Sequence, residues 1–317
     1  MKIINLDGDQ LNPGDLSWQE IEDLGSLTTY ASTPESLIVE RAIGAEIVIT
    51  NKVPFTRETI EALPDLKCIC VSATGFNIID IEAAKDHQIV VCNAPGYSKE
   101  SVAQHVFASI LTVYNRIENY ARESREGKWS DVNDWSYTNE PVSNMEGKTL
   151  GIIGFGQIGQ RVGELALAFK MKVIAFHKHP KRDAMPGVDF VDIDTLFQSS
   201  DVISLHVPLN ESTHELVDKT KLALMKSSAI LINTGRGPLV NEADLADALQ
   251  KRKLRAAVLD VMVNEPPSKS NPLLNIENCY ITPHVAWAGV NARKKLMHIL
   301  ADNIQNFKKG TPINRVN

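Results

Sequence analysis

The stretch Leu150-Gly151-Ile152-Ile153-Gly154-Phe155-Gly156-Gln157-Ile158-Gly159 decides the fold. Leu150–Ile153 is a short apolar run, the signature of a buried strand, and Gln157–Phe169 carries apolar residues at helical spacing. The glycines fall between the two. Gly154 permits a tight turn, Gly156 lets a pyrophosphate approach the backbone, and Gly159 lets helix and strand pack closely. The free N–H groups at the helix start, around Gln157 and Ile158, favour a phosphate charge. A bare glycine turn is the alternative, but the strand–turn–helix context makes this a dinucleotide loop.

Outward from this loop, strands and helices alternate. Upstream, the strand candidates are Lys2–Leu6, Ile47–Thr50, Cys68–Val71 and Ile89–Cys92. Helices are predicted at Pro34–Ala45 and Thr56–Leu63, the second with Thr56 as N-cap. A long amphipathic stretch covers Ser101–Arg122, and the polar, aperiodic segment Gly127–Gly147 reads as an extended arm. Downstream of the loop, strands are predicted at Lys172–Phe176, Val202–His206, Ala229–Asn233, Ala256–Asp260 and Tyr280–Thr282. The closing helix Asn291–Lys309 belongs to no cofactor unit and should return to the first domain. This order predicts two α/β domains, each a doubly wound parallel sheet. A Rossmann cofactor domain (100–285) is inserted in a flavodoxin-like substrate domain (1–99 and 286–317), with two chain crossings forming a hinge.

Composition excludes several classes. The chain has 317 residues, 43% of them hydrophobic, enough for two packed cores. A net charge of -6 argues against nucleic acid and anionic lipid as partners. No run approaches the roughly 18 apolar residues of a membrane span, and the N-terminus lacks a secretory pattern. Cys68, Cys70, Cys92 and Cys279 fit no zinc spacing, so no metal is expected, and scattered cysteines suit a reducing compartment such as the cytoplasm.

Three segments at predicted strand ends carry chemistry. They are Asn233-Thr234-Gly235-Arg236-Gly237, Leu259-Asp260-Val261-Met262-Val263-Asn264-Glu265-Pro266 and Thr282-Pro283-His284-Val285-Ala286-Trp287. In a doubly wound sheet the C-terminal strand ends share one crevice with the cofactor. Arg236 offers a planar fork to a carboxylate and a keto oxygen. His284 can give a proton to that oxygen, and Glu265 would orient His284 and favour its protonated form. Each residue alone has a structural explanation; the ordered set after a dinucleotide loop points to hydride transfer to a 2-keto acid.

With these motifs in hand, the sequence resembles the D-2-hydroxy-acid dehydrogenases along essentially its whole length. The resemblance implies that Arg236, Glu265 and His284 are catalytic. It also implies that Asp260 contacts the nicotinamide carboxamide, where a turn cap would be the plain alternative. Ser101-Val102-Ala103-Gln104-His105-Val106-Phe107 resembles the helix start beside the nicotinamide, with Val102 in contact, and His206-Val207-Pro208 the strand end on the adenosine side. Thr234 and Gly235 join the cofactor set. Ala73-Thr74-Gly75-Phe76-Asn77 resembles the loop whose amides hold a substrate carboxylate, through Thr74 and Gly75. Leu6-Asp7-Gly8, Leu11–Trp18, Thr50-Asn51-Lys52 and His284-Val285-Ala286-Trp287 are similar to the glycerate dehydrogenase (hydroxypyruvate reductase) branch. That branch implies hydroxypyruvate or glyoxylate as substrate; Lys52, after a strand end in the first domain, would face it, with a solvated lysine the plain alternative, and Trp287 would wall its pocket. Trp135 would contact a second subunit in a homodimer. The alternatives are another D-2-hydroxy-acid specificity, or a dinucleotide-sensing protein like the corepressors that share this fold.

NAD is the cofactor implied, with NADP admitted by one departure from the pattern. The strand after the glycine loop should end in a carboxylate that grips the ribose. Here it runs Phe176-His177-Lys178-His179-Pro180-Lys181-Arg182, with no acid at the strand end. Lys178, Lys181 and Arg182 would attract a 2′-phosphate; the alternative is a solvated basic turn with His177 making one ribose hydrogen bond.

Overall fold

The computed structural model describes residues 1–317 as two compact units. One is Met1–Ser98 with Ala288–Asn317, and the other is Lys99–Trp287. The first unit holds β1 (Lys2–Asn5), β2 (Ser26–Thr29), β3 (Ile47–Thr50), β4 (Cys68–Val71) and β5 (Val90–Cys92). They form a parallel sheet in the order β2-β1-β3-β4-β5. This is the flavodoxin-like order, in which the winding reverses between β1 and β3. Helix Val290–Lys308 lies in this unit, as its lone position after the last strand predicts.

The second unit holds β6 (Thr149–Ile153), β7 (Lys172–Phe176), β8 (Val188–Phe190) and β9 (Val202–Leu205). After them come β10 (Ile230–Asn233), β11 (Ala256–Leu259) and β12 (Cys279–Ile281). Their order is β12-β11-β10-β9-β6-β7-β8, again parallel throughout. Here the winding reverses between β6 and β9.

The strands of the second sheet are apolar on both faces because both faces are covered. Leu150 and Ile152 enter one core and Ile153 the other; Ile230 and Ile232 likewise alternate with Leu231. Burying each such aliphatic side chain contributes about 1.5–3 kcal/mol. On one face, Ala103, Val106, Phe107, Ile110 and Val113 of helix Lys99–Asn115 meet Val162 and Ala166 of helix Gln157–Ala168.

Several boundaries differ from the sequence reading. The Ser101–Arg122 stretch is two helices, Lys99–Asn115 and Ile117–Arg125, because Arg116 adopts a left-handed conformation (φ 52°) that breaks the first. Pro34–Ala45 is a 3-10 turn, Glu35–Leu37, followed by a short helix, Ile38–Ala42. The strands β2 and β8 escape the apolar pattern because they are short and carry exposed polar residues: Ser26, Thr28 and Thr29 in β2 and Asp189 in β8. Gly127–Gly147 contains turns but no helix or strand.

Candidate active site

Everything in the glycine loop follows from where a side chain would fit. Gly154 has φ +93°, and a Cβ there would lie 2.6 Å from the backbone carbonyl of His206, at the end of β9. A Cβ at Gly159 would stand 2.2 Å from the Gly154 oxygen. The loop therefore closes against β9 at the point where the winding reverses, and only hydrogen fits at either position. Gly156 is different: a Cβ there would meet nothing within 4 Å, and both Gly156 and Gln157 are exposed. The glycine at 156 keeps clear a cradle at the start of helix Gln157–Ala168, where free N–H groups converge. Ile158 turns inward onto the core.

His177 and His206 flank the loop, just beyond the ends of β7 and β9. The Phe155 N–H donates to His177 Nδ1 at 3.1 Å, and His177 Nε2 lies 2.6 Å from Asp183 Oδ2. Both ring nitrogens are thus engaged inside the chain. His206 pairs with Ser204 Oγ at 2.9 Å, and desolvation pushes its imidazole down to about 4. Val207 is half-buried against the core, and Pro208 is exposed with its carbonyl accepting from Thr213.

Toward the other end, β10, β11 and β12 are neighbours, so their C-terminal loops lie side by side. Buried Asn233 shapes the first: its Oδ1 accepts from Gly235 N–H and its Nδ2 donates to Arg236 O. Arg236 is exposed and donates to the Gly235 carbonyl at 2.8 Å. Gly237 rests on the next loop, where a Cβ would come within 2.0 Å of the Met262 backbone. Thr234 Oγ1 is buried without a hydrogen-bond partner, a donor awaiting a ligand.

Glu265 and His284 meet directly: His284 Nδ1 is 2.7 Å from Glu265 Oε2, while Oε1 accepts from Met262 N–H at 3.2 Å. The pairing commits Nδ1 and leaves Nε2 as the ring atom for chemistry. His284 itself sits in the left-handed region at φ 54°. Asp260 holds it there. Its backbone oxygen accepts from His284 N–H, Oδ1 from Val285 N–H and Thr282 Oγ1, and Oδ2 from Ala286 N–H. From the other side Ser101 Oγ donates to Ala286 O, and His105 Nε2 lies 3.3 Å from Thr282 Oγ1. Asp260 thus caps the turn that presents His284. Val102 is buried beside this cluster in helix Lys99–Asn115, and Trp287 is half-buried.

The first unit carries its own strand-end loops. Thr74 Oγ1 donates to Ala94 O at 3.0 Å, and Asn93 Nδ2 donates to Thr74 O. Lys52 is exposed, but its backbone is fixed, with its N–H on Asp7 Oδ2 at 2.6 Å. Sequence reasoning gave no role to Asn233, Thr282, Asp183 or the side chain of Asp7. Each acts through the fold; Asn233, Thr282 and Asp7 lie inside the quoted segments, whereas Asp183 carried no local signal.

An open glycine cradle at a winding reversal, an orphaned threonine hydroxyl and a carboxylate-oriented histidine fit a nicotinamide dinucleotide and define a dinucleotide-dependent oxidoreductase. Residues 107–286 match the family model described as D-isomer specific 2-hydroxyacid dehydrogenase, NAD binding domain. A hydroxypyruvate reductase of Blautia hydrogenotrophica is 42% identical over the full length of both chains. A glycerate dehydrogenase of Methylorubrum extorquens is 40% identical over 99% of this chain and 98% of its own. Among solved structures, an acyclic imino acid reductase in complex with NADPH and D-Arg superposes with a TM-score of 0.88, at 36% identity and full coverage of both chains. The chain belongs to the D-isomer-specific 2-hydroxyacid dehydrogenase family, an NAD-binding oxidoreductase acting on CH–OH groups.

Proposed function

We propose that this enzyme reduces hydroxypyruvate and glyoxylate, reversibly, to D-glycerate and glycolate. The observation that carries the reading is the His284–Glu265 pair at 2.7 Å, on strand ends adjoining the loop of Arg236. The reductase and dehydrogenase names of relatives at 42% and 40% identity support the substrate class. A sensor without turnover would have no need of an oriented proton donor.

The cofactor would be held by Gly154, Gly156, Gln157, Ile158 and Gly159 at the pyrophosphate and by His206, Val207 and Pro208 on the adenosine side. Val102, Thr234, Gly235, Arg236 and Asp260 would lie toward the nicotinamide, and His177 would brace the loop rather than bond the ribose. When bound, the reduced nicotinamide supplies the hydride. Arg236 binds the carboxylate and keto oxygen of the substrate, polarising the carbonyl. His284 Nε2 delivers the proton to the keto oxygen and takes it back in the reverse direction. Glu265 orients the ring and stabilises its positive charge. In the first unit Thr74 and Gly75 would hold the substrate carboxylate, with Lys52 near it; Trp287 would limit the size of the substrate.

We place the enzyme in the cytoplasm as a homodimer. Trp129 and Trp135 are 53% and 85% exposed in the arm Gly127–Gly147, which suits a subunit contact. No helix is long and apolar enough to cross a membrane, and the net charge of -6 disfavours nucleic acid as a partner. The test is steady-state kinetics with hydroxypyruvate, glyoxylate and pyruvate, each with NADH and NADPH. Hydroxypyruvate should have the highest kcat/KM; absence of turnover with all three would overturn the reading.

A further inference from the structure

Strand β7 ends without a carboxylate, yet the fold returns one to the same place. Because the Phe155 N–H donates to His177 Nδ1, that nitrogen is an acceptor and the ring proton sits on Nε2. Nε2 then donates to Asp183 Oδ2 at 2.6 Å. Asp183 comes from the far side of the basic turn, six residues on, and its side chain is only 14% exposed. A carboxylate is thereby latched to the glycine loop through one imidazole.

Arg182 closes on the same carboxylate. Its Nε lies 3.0 Å from Oδ1 and its Nη2 2.6 Å from Oδ2. Arg182, then His177, hold the Asp183 carboxyl down to about 2, so it is ionised at any working pH. The guanidinium side chain remains 67% exposed, on the turn that also carries Lys178 and Lys181. Oδ1 bears a single hydrogen bond, from Arg182, and has room for another donor.

We propose that the Asp183–Arg182 pair, rather than the residue ending β7, selects the dinucleotide and lets this chain accept both forms. The inference rests on the dinucleotide reading of the glycine loop. Toward NADH, Asp183 Oδ1 accepts from the ribose 2′-hydroxyl while Arg182 stays on the carboxylate. Toward NADPH, the 2′-phosphate draws Arg182 off Asp183, and Lys178 and Lys181 add to the positive field. The His177 latch holds in both cases, so the glycine loop is shaped alike for either cofactor.

Calorimetric binding tests this without a keto acid present, so the substrate reading can fail while this one stands. The probes are NADH, NADPH, ADP and adenosine 2′,5′-bisphosphate. Asp183→Asn keeps an oxygen for His177 Nε2–H but removes the charge. It should tighten NADPH and the 2′,5′-bisphosphate and weaken NADH, each on the order of tenfold, the weight of one charged hydrogen bond. Arg182→Ala should weaken NADPH and the bisphosphate by about tenfold and leave NADH and ADP within about twofold. Parallel shifts for both dinucleotides in the two variants, or no shift in either, would overturn the proposal.

Discussion

Each sheet reverses its winding once, and the two reversals are treated in opposite ways. In the second unit, Gly154 lets the loop pack against the end of β9 at the reversal, Gly156 keeps the space beside it open, and amides at the start of helix Gln157–Ala168 are left for an anion. In the first unit, the reversal between β1 and β3 is filled by the chain's own anion. Asp7 is buried, and its carboxylate accepts from Asn51, Lys52 and Val53 N–H. Burial holds its carboxyl above the usual carboxylate range, and the three amides offset only part of that rise. A reversal of winding creates a place for an anionic ligand only where the backbone amides are not already taken.

If chemistry belongs to the open reversal, His284→Ala should have the largest effect. A kcat loss of about 10²–10⁴ is expected for a proton donor, with NADH affinity unchanged. Retained turnover would remove His284 from that role. Gly156→Ala would put a methyl into the cradle and should weaken both dinucleotides by about tenfold or more, with unfolding temperature unchanged because a Cβ there meets no neighbour. A fall in stability matching the loss of affinity would show that the cradle is structural.

The aspartates can be set against each other. Asp260→Asn disturbs the clamp on residues 284–286 and should lower kcat on the order of 10²-fold, more than it raises the NADH Kd. Thr282→Val should do less, and Thr282→Ser should restore it. A change in Kd alone would leave Asp260 only its cofactor contact. Asp7→Ala should cost about 2 kcal/mol of stability by stranding three amides, and sulfate should stabilise that variant more than the parent. Equal responses to sulfate would mean the first reversal is no anion site even when emptied.

The smallest effect is one of pH. The folded-state pKa of His206, about 4, lies below its ordinary 6.5, so the unfolded chain takes up the proton first. Stability should be full above about 6.5 and fall on acidification toward 4, by on the order of 1 kcal/mol for a half-buried residue. Urea midpoints across this range should be flatter for His206→Asn; identical slopes would leave the ring unshifted.

The sequence alone determined the parallel-sheet class, the dinucleotide loop and the arginine, glutamate and histidine segments. These signals are local: strands buried on both faces read as apolar runs, and glycines at fixed spacing mark a turn that only they can make. Strands β2 and β8 and the break at Arg116 were not legible, because exposed polar residues leave those short strands no apolar run and a single left-handed residue leaves no periodic trace. Only the tertiary structure decided which atoms meet. The strand-end carboxylate missing from β7 reappears as Asp183, Asp260 grips the loop of His284, and Asp7 occupies the other reversal. Each of these is a buried or partly buried carboxylate finding donors beyond its own sequence neighbours. Which donors it finds depends on how strand ends are juxtaposed, and that is fixed only when the sheets form.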